Sequence, residues 1–593
     1  MTTFDQNFEI PNYVKYIFVF LTIGIFALLG GRYYYLQLKL ESKYSLRSEN
    51  NRIRQVITQP SRGLISDRYG RIIVDNRPAN TITIIPNEFE KEPRALELLA
   101  RILEMNVSDL VQKLKVKGVQ RFLPQRVKRN VEMETIVEIQ ENALFLPGVS
   151  RVTEPERAYP SGARLSHVLG YTGEVTPKNL EQDEYYASGD IIGKSGLEYY
   201  YEEVLRGKKG VNYLEVDRYG RVVDDIEVES EIPAEKGIDM HLTIDAFLQE
   251  SAEALLEGKR GAVVMIDPRN GDVLAMLSKP DYDLNKLRYI WSDLQKDEEV
   301  PLYNRTTKSL HSPGSTFKPI TLIGALESRV IDEYTTFFCP GYYVIGDRIA
   351  HCWNHSGHGK VDAFYAIEQS CNIFFFESIL KMGMDKFTEI SEKFYFGRKT
   401  GIDLPGDFSG TVPSEEYYNE TFGRSGWSKG VLLNIAIGQG EVGVTPLQLA
   451  QYTMMLANGG TYFKPHLLKY YFDHKGEKIV PEVVTEKVDV SKKTMDIVRE
   501  GMRRVVQGVH GTAKRAKVEG EVVAGKTGTA QNPHGEDHAW FIGFAPFENP
   551  EVAMCVLIEN GGGGGRNAAP IAGELLKLFF LSKKVDYAQI KLN

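Results

Sequence analysis

The chain has 593 residues, 42% of them hydrophobic and 25% charged, with a formal net charge of −8. That length allows two or three domains, and the composition is that of globular protein. No basic tract stands out, which argues against nucleic acid as a partner.

The first feature in chain order is not globular. Tyr16–Gly31 carries no charge between Lys15 and Arg32, and Tyr33–Tyr35 follows it directly as an interfacial aromatic belt. Residues 16–36 read as an uncleaved transmembrane anchor after a 15-residue cytoplasmic tail. A cleaved signal peptide would have a shorter apolar core and a small-x-small site. Asp5, Glu9 and Lys15 leave the orientation undecided by positive charge. Leu36–Arg54 has mixed helical spacing and is expected to continue the anchor as a stalk.

Residues 37–236 read as a mixed α+β module, the pedestal. Strand-like runs lie at Arg71–Val74 and Thr81–Ile85, and helical patterns at Arg94–Leu103, Val107–Leu114 and Met133–Glu141. Another helix is expected from Gly193 to about Leu205, half exposed along Glu198–Glu203. Gly561–Gly565 reads as a flexible loop.

The character changes at Gly237. Met240–Asp245 and Gly261–Asp267 read as strands, and Asp272–Leu277 as the hairpin partner of the second across Pro268–Gly271. Helices are expected at Ala363–Leu380, Pro446–Asn458 and Pro570–Leu581, and strands at Glu521–Ala524, Ala539–Ala545 and Glu551–Glu559. Strands at both ends of a helical middle predict an antiparallel sheet flanked by helices over 237–582, with 583–593 as a tail.

Three short motifs lie in this second region. Ser315 and Lys318 form S-x-x-K, Ser370 and Asn372 form S-x-N, and Lys526–Thr529 is K-T-G-T. A helix starting at Ser315 would put hydroxyl and amine on one face. Taken alone, S-x-x-K fits a surface serine and lysine on a helix better than a reaction centre, and each of the other two matches is weak; the three in this order are specific. The chemistry assigns them. Ser315 is the nucleophile and Lys318 its base, with a lowered pKa from partial burial and the neighbouring Lys526. Ser370 relays a proton to the leaving amine, and Asn372 orients Lys318 and holds the substrate amide. Lys526 and Thr527 bind a substrate carboxylate, and Gly528 lets the substrate backbone come close. The N–H groups of Ser315 and Thr529 form the oxyanion hole. Trp540 and Phe541 read as core, and His538 as either a substrate contact or a solvated residue. No role is assigned to His311.

Longer stretches carry a resemblance. RGLISDRYGR at 62–71, RAYPSGARLSHVLGYTGEV at 157–175, GKSGLEYYYEEVLRG at 193–207, GAVVMIDPRNGDVLAMLSKPDYDLN at 261–285, GQGEVGVTPLQLA at 438–450 and GKTGTAQ at 525–531 are among them. The chain resembles the class B penicillin-binding proteins of the elongation type, the penicillin-binding protein 2 group, over nearly its whole length. The resemblance implies the penicillin-binding protein/serine β-lactamase fold and an inner-membrane D,D-transpeptidase/carboxypeptidase with its bulk in the periplasm. It implies stem peptides as substrates, release of D-Ala, and β-lactams as inhibitors. Its implied partners are a RodA-type glycan polymerase and an MreC-type scaffold. A division-type transpeptidase is a rival of the same fold. A β-lactam sensor or an inactive polymerase-activating scaffold is a rival of another kind.

Cys339, Cys352, His358 and Cys371 follow C-x(12)-C-x(5)-H-x(12)-C, a candidate Cys₃His zinc site. Some elongation-type relatives place zinc here on Asp, Asp, His and Cys, and the resemblance maps those positions onto these four residues. A Cys339–Cys352 disulfide with a buried Cys371 thiol is the alternative in an oxidising compartment. His351 and His355 read as loop residues, and Cys555 as core.

Overall fold

The computed structural model describes residues 11–39, 53–90, 92–115, 121, 123–216, 222–224 and 232–584. Asn12–Tyr34 is a helix with no buried residue, and Tyr35–Lys39 continues it as a π-turn. The segment Asn12–Gln37 is long and apolar enough to cross a membrane. The expected stalk helix is corrected at its end, because Ile53–Thr58 is a strand paired with Gly210–Val216. Residues 40–52 and 585–593 lie outside the described residues, and most of the stalk and the C-terminal tail with them.

The chain forms two compact units. The smaller takes residues 1–60, 81–152 and 208–235; the larger takes 61–80, 153–207 and 236–593. The chain therefore passes between them several times. In the smaller unit, helices Ala95–Ile102, Val107–Leu114 and Met133–Glu141 bury Leu99, Leu110 and Ile136 in one apolar cluster with Ile82, Ile84 and Val127. Their apolar residues recur at helical spacing, which is why the sequence marks them.

The larger unit is built on a five-stranded antiparallel sheet. Its strands are β1 (Gly261–Ile266), β2 (Val273–Lys279), β3 (Ala524–Ala530), β4 (His538–Ala545) and β5 (Val552–Ile558), in the order β2-β1-β5-β4-β3. Every residue of β1, β2 and β5 is buried. Such strands need cover on both faces, and their near-continuous apolar runs reflect it. The helices are α1 (Lys318–Glu327), α2 (Ala363–Glu368), α3 (Asn372–Met382), α4 (Pro446–Ala457), α5 (Lys492–Gln507) and α6 (Gly564–Lys584). Helices α4, α5 and α6 pack on the sheet. Helix α4 is buried along its whole length, and a Thr445/Gln448 capping box with Pro446 in the first turn fixes its start.

Three expectations shift. The helix expected over Ala363–Leu380 breaks into α2 and α3 at Gln369–Cys371, where Ser370 takes a left-handed φ of 55°. Gly193 ends a short strand, and two short helices follow, Gly196–Tyr200 and Glu202–Leu205. Glu198 there is buried, not half exposed: Arg62 pairs with it at 2.6 Å and Arg157 at 2.8 Å. Three of the stretches that carried the resemblance thus meet in one buried ion cluster. Finally, Gly564 and Gly565 already belong to α6 rather than to a free loop.

Candidate active site

Ser315 does not open an α-helix. It lies in a 3₁₀ turn, Gly314–Phe317, that runs straight into α1 at Lys318. A 3₁₀ turn eclipses residues i and i+3, so Ser315 and Lys318 still share a face. Ser315 is partly exposed, while Lys318 is fully buried. The turn is pressed onto β3. A Cβ on Gly314, at φ 55°, would meet Thr529 O at 2.6 Å, and one on Gly528 would meet Pro313 O at 2.8 Å. Gly528 is therefore required by the protein's own Ser315 turn, a nearer cause than the room for substrate expected from sequence. The loop after Ile437 holds the turn from its other side: Gly314 N donates to Gly438 O at 2.8 Å, and Gln439 Nε2 to Thr529 O at 3.3 Å.

The second motif sits on the break between α2 and α3. The left-handed backbone at Ser370 lets both its oxygens face Lys318, whose Nζ donates to Ser370 O at 2.7 Å, Ser370 Oγ at 3.0 Å and Asn372 Oδ1 at 2.7 Å. All three ammonium hydrogens are thereby used. Lys526 Nζ donates to the same Ser370 Oγ at 3.0 Å and to Thr527 O at 3.0 Å. One hydroxyl thus bridges two buried amines.

Burial governs both lysines. It lowers Lys318 to about 8, against the opposing pull of the Cys352 and Cys371 sulfurs. Burial, and then repulsion from Lys318, drives Lys526 well below the usual lysine range. The expected cause on Lys318 is corrected accordingly: its burial is complete, and the repulsion registers on Lys526. Two amines sharing one hydroxyl disfavour a second charge, so a neutral amine is available as a base.

Of the expected substrate contacts, Thr529 is exposed, Thr527 is nearly buried and shares a 2.9 Å hydrogen bond with Thr512, and Lys526 is fully buried. Asn372 spends Oδ1 on Lys318 and one Nδ2 hydrogen on His351 O at 3.1 Å, which leaves one N–H for a ligand.

The four candidate metal ligands come together. One ligand atom from each of Cys339, Cys352, His358 and Cys371 lies within 4.8 Å of the others. His358 Nδ1 is 3.5 Å from both Cys339 Sγ and Cys352 Sγ. Tetrahedral zinc, with bonds of about 2.3 Å to sulfur and 2.0–2.1 Å to nitrogen, would separate S and N by roughly 3.5 Å. The residues fit the metal. All four cysteines of the chain are buried free thiols. Hydrogen bonding from Cys371 lowers the Cys352 thiol against the opposing pull of burial, and His358 adds to it. His351 and His355 stay outside the set, with their rings 5.5 Å apart.

The sequence did not reveal how this cluster touches the motif. Asn372 N donates to Cys352 Sγ at 3.4 Å, and Trp353 Nε1 to Gln369 O at 2.9 Å, so residues 351–353 clasp the turn at Ser370. Nor did it reveal the network around Glu559, which pairs with Arg260, Arg305 and His311, each at 3.2 Å. His311 also bonds Ser309 Oγ at 2.7 Å and packs on His538 at 4.4 Å, which gives both histidines a place beside the Ser315 turn. Trp540 is fully buried and donates to Ser312 O at 3.2 Å.

Comparison with known proteins agrees with this geometry. The family pattern "Penicillin binding protein transpeptidase domain" matches residues 261–577, and "Penicillin-binding Protein dimerisation domain" matches 57–242. The chain is similar to peptidoglycan D,D-transpeptidase MrdA of Haemophilus influenzae, 33% identical over 96% of this chain and 92% of that protein. It is similar in structure to a complex between PBP2 and MreC from Helicobacter pylori. There the TM-score is 0.77 at 28% identity, over 89% of this chain and 100% of that one. A structure titled for the coordination of polymerization and crosslinking by a peptidoglycan synthase complex gives a TM-score of 0.70 at 29% identity, over 95% and 97%.

Proposed function

Because the chain belongs to the class B penicillin-binding proteins of the elongation type, we propose that its three motifs form a working transpeptidase centre with the roles below. The protein is a peptidoglycan D,D-transpeptidase. The observation that carries the site is Ser370 Oγ, 3.0 Å from both Lys318 Nζ and Lys526 Nζ beside the Ser315 turn.

Ser315 Oγ attacks the carbonyl of the penultimate D-Ala, and its proton passes to the neutral amine of Lys318. The N–H groups of Ser315 and Thr529 hold the oxyanion. The proton moves through Ser370 Oγ to the nitrogen of the terminal D-Ala, which leaves and closes the acyl ester. The terminal carboxylate rests on Thr527 and Thr529 above Lys526. An amine of a second stem then attacks the ester, gives up its proton by the same path and releases Ser315. Water in place of that amine would make the reaction a carboxypeptidase.

A zinc ion on Cys339, Cys352, His358 and Cys371 would be structural, fixing the turn that aims Ser370 and Asn372. The Asn12–Gln37 helix anchors the chain in the inner membrane with its bulk in the periplasm. Likeness to the MreC complex supports an MreC-type scaffold as a partner, and likeness to a complex that coordinates polymerization with crosslinking supports a glycan polymerase, of the RodA type that the family resemblance implies. Labelling with a fluorescent penicillin tests the centre. Stable labelling of the protein and none of Ser315→Ala is expected; an unlabelled wild-type protein points to the scaffold, and rapid release of the label points to a lactamase.

A further inference from the structure

Beside the catalytic turn lies a cleft that none of the three motifs uses. It has a volume of about 390 Å³ and is lined by Tyr418, Phe422, Trp427, Val431 and Glu441 among others. Helix Glu415–Phe422 starts on Ser414, whose side chain accepts from Tyr417 N. It carries Tyr418, which stacks on Phe422 at 5.8 Å and tilts against Trp427 at 5.3 Å. Trp427 is fixed in turn by Nε1 donating to Asn419 Oδ1 at 2.9 Å. Tyr418 is buried, and its hydroxyl donates to Glu441 Oε2. Among the described residues, Glu441 Oε1 receives no hydrogen bond and no cation pairs with this carboxylate. Arg424 and Lys429 of the same loop are exposed.

Phe422 and Trp427, the rings packed on the buried Tyr418, line one cleft with a carboxylate that keeps an open oxygen, which makes a receptor for a primary ammonium. The charge attracts it, and the outer ring surfaces add to that. The cleft is also within reach of the reaction. Gly440, the residue before Glu441, accepts from Ser312 Oγ at 3.4 Å through its carbonyl. Ser312 lies at most roughly 10 Å from Ser315 at full extension, and a five-residue peptide spans roughly 17 Å. Ser315, Ser312, Gly440 and Glu441 all have solvent-accessible surface, so a peptide can lie along them.

We propose that this cleft is a stem-peptide subsite in which Glu441, walled by Tyr418, Phe422 and Trp427, binds a primary ammonium of the substrate. The proposal rests on the transpeptidase reading and deepens it by naming a charge the enzyme recognises. That ammonium comes either from the donor stem or from the acceptor stem.

The test is binding of a dye-labelled stem peptide carrying a side-chain primary amine, followed by fluorescence polarisation on the full-length protein. Acetylating the amine should weaken binding to the wild-type protein about tenfold. In Glu441→Gln, which keeps an acceptor for Tyr418, acetylation should change binding less than twofold. Blocking Ser315 with penicillin beforehand separates the sources: binding that is lost assigns the ammonium to the donor stem, and binding that persists assigns it to the acceptor. Equal affinity of free and acetylated peptides for the wild-type protein overturns the subsite, whatever the variant does. An equal acetylation penalty in both proteins overturns it too. Failure of the transpeptidase reading is seen separately, as absence of penicillin labelling at Ser315.

Discussion

The backbone N–H of Asn372 donates to Cys352 Sγ at 3.4 Å. A residue of the second motif, proposed to act in catalysis, is thus tied through its own backbone to a sulfur of the candidate metal set. If these residues hold zinc as proposed, removing it, or changing Cys352→Ser, should loosen the turn at Ser370 and misplace both Ser370 oxygens that hold Lys318. We expect acylation by penicillin to slow by tenfold or more, with a lower unfolding temperature, as is typical when a supporting shell around a site is lost. Metal analysis should find one zinc per chain before chelation. A metal-free protein with Cys339 and Cys352 oxidised to a disulfide would contradict the zinc site.

Acylation should depend on pH through Lys318. Its neutral form is the proposed base, and burial holds it at about 8. The rate constant for acylation should therefore be flat above pH 8 and fall roughly tenfold per unit below it. Stopped-flow labelling across pH 6–10 reads this directly. A rate that rises as pH falls would assign the base elsewhere.

The Gly528→Ala variant should lose activity without losing the fold. The added methyl would meet Pro313 O and Thr316 Cγ2 at 2.8 Å and Trp540 Cβ at 3.0 Å. The Ser315 turn must shift off β3 to admit it. A displacement near 1 Å costs on the order of a hundredfold in rate. Acylation kinetics beside a circular dichroism spectrum would separate this from unfolding.

Glu559 should matter for stability. Burial pushes its carboxyl up, yet the His311 hydrogen bond and the Arg305 guanidinium hold it at about 2, against an ordinary value of 4.5. A depressed acid contributes stability that is present above pH 4.5 and lost as pH falls through about 2. Its size is about 3 kcal/mol. Glu559→Gln should lower stability by about that amount at pH 7, and the difference from wild type should shrink at pH 3. Denaturant titration at the two pH values checks both halves.

Much of this site was legible in the sequence because its parts are local. S-x-x-K, S-x-N and K-T-G-T each place chemistry within four residues, and the apolar runs of β1, β2 and β5 follow directly from burial on both faces. The Cys–His spacing marks the cluster that Cys339, Cys352, His358 and Cys371 form. What stayed hidden depends on long-range approach. Gly314 and Gly528 are glycine because turn and strand touch, and no local pattern shows that. The Cys352–Asn372 bond joins a loop to a helix start 20 residues on. Glu559 meets Arg305 across 254 residues, and His311 gained a place only when that carboxylate came beside it. The helix expected over Ala363–Leu380 read as continuous because its apolar spacing persists through Ser370, whose left-handed backbone leaves no trace in hydrophobicity.

Mass spectrometry of the full-length protein after penicillin treatment checks the proposed role of Ser315 as the nucleophile served by two buried lysines. The expected result is a single adduct on the peptide containing Ser315, absent in Ser315→Ala and strongly slowed in Lys318→Ala. An adduct on another residue, or none on a folded wild-type protein, would contradict it.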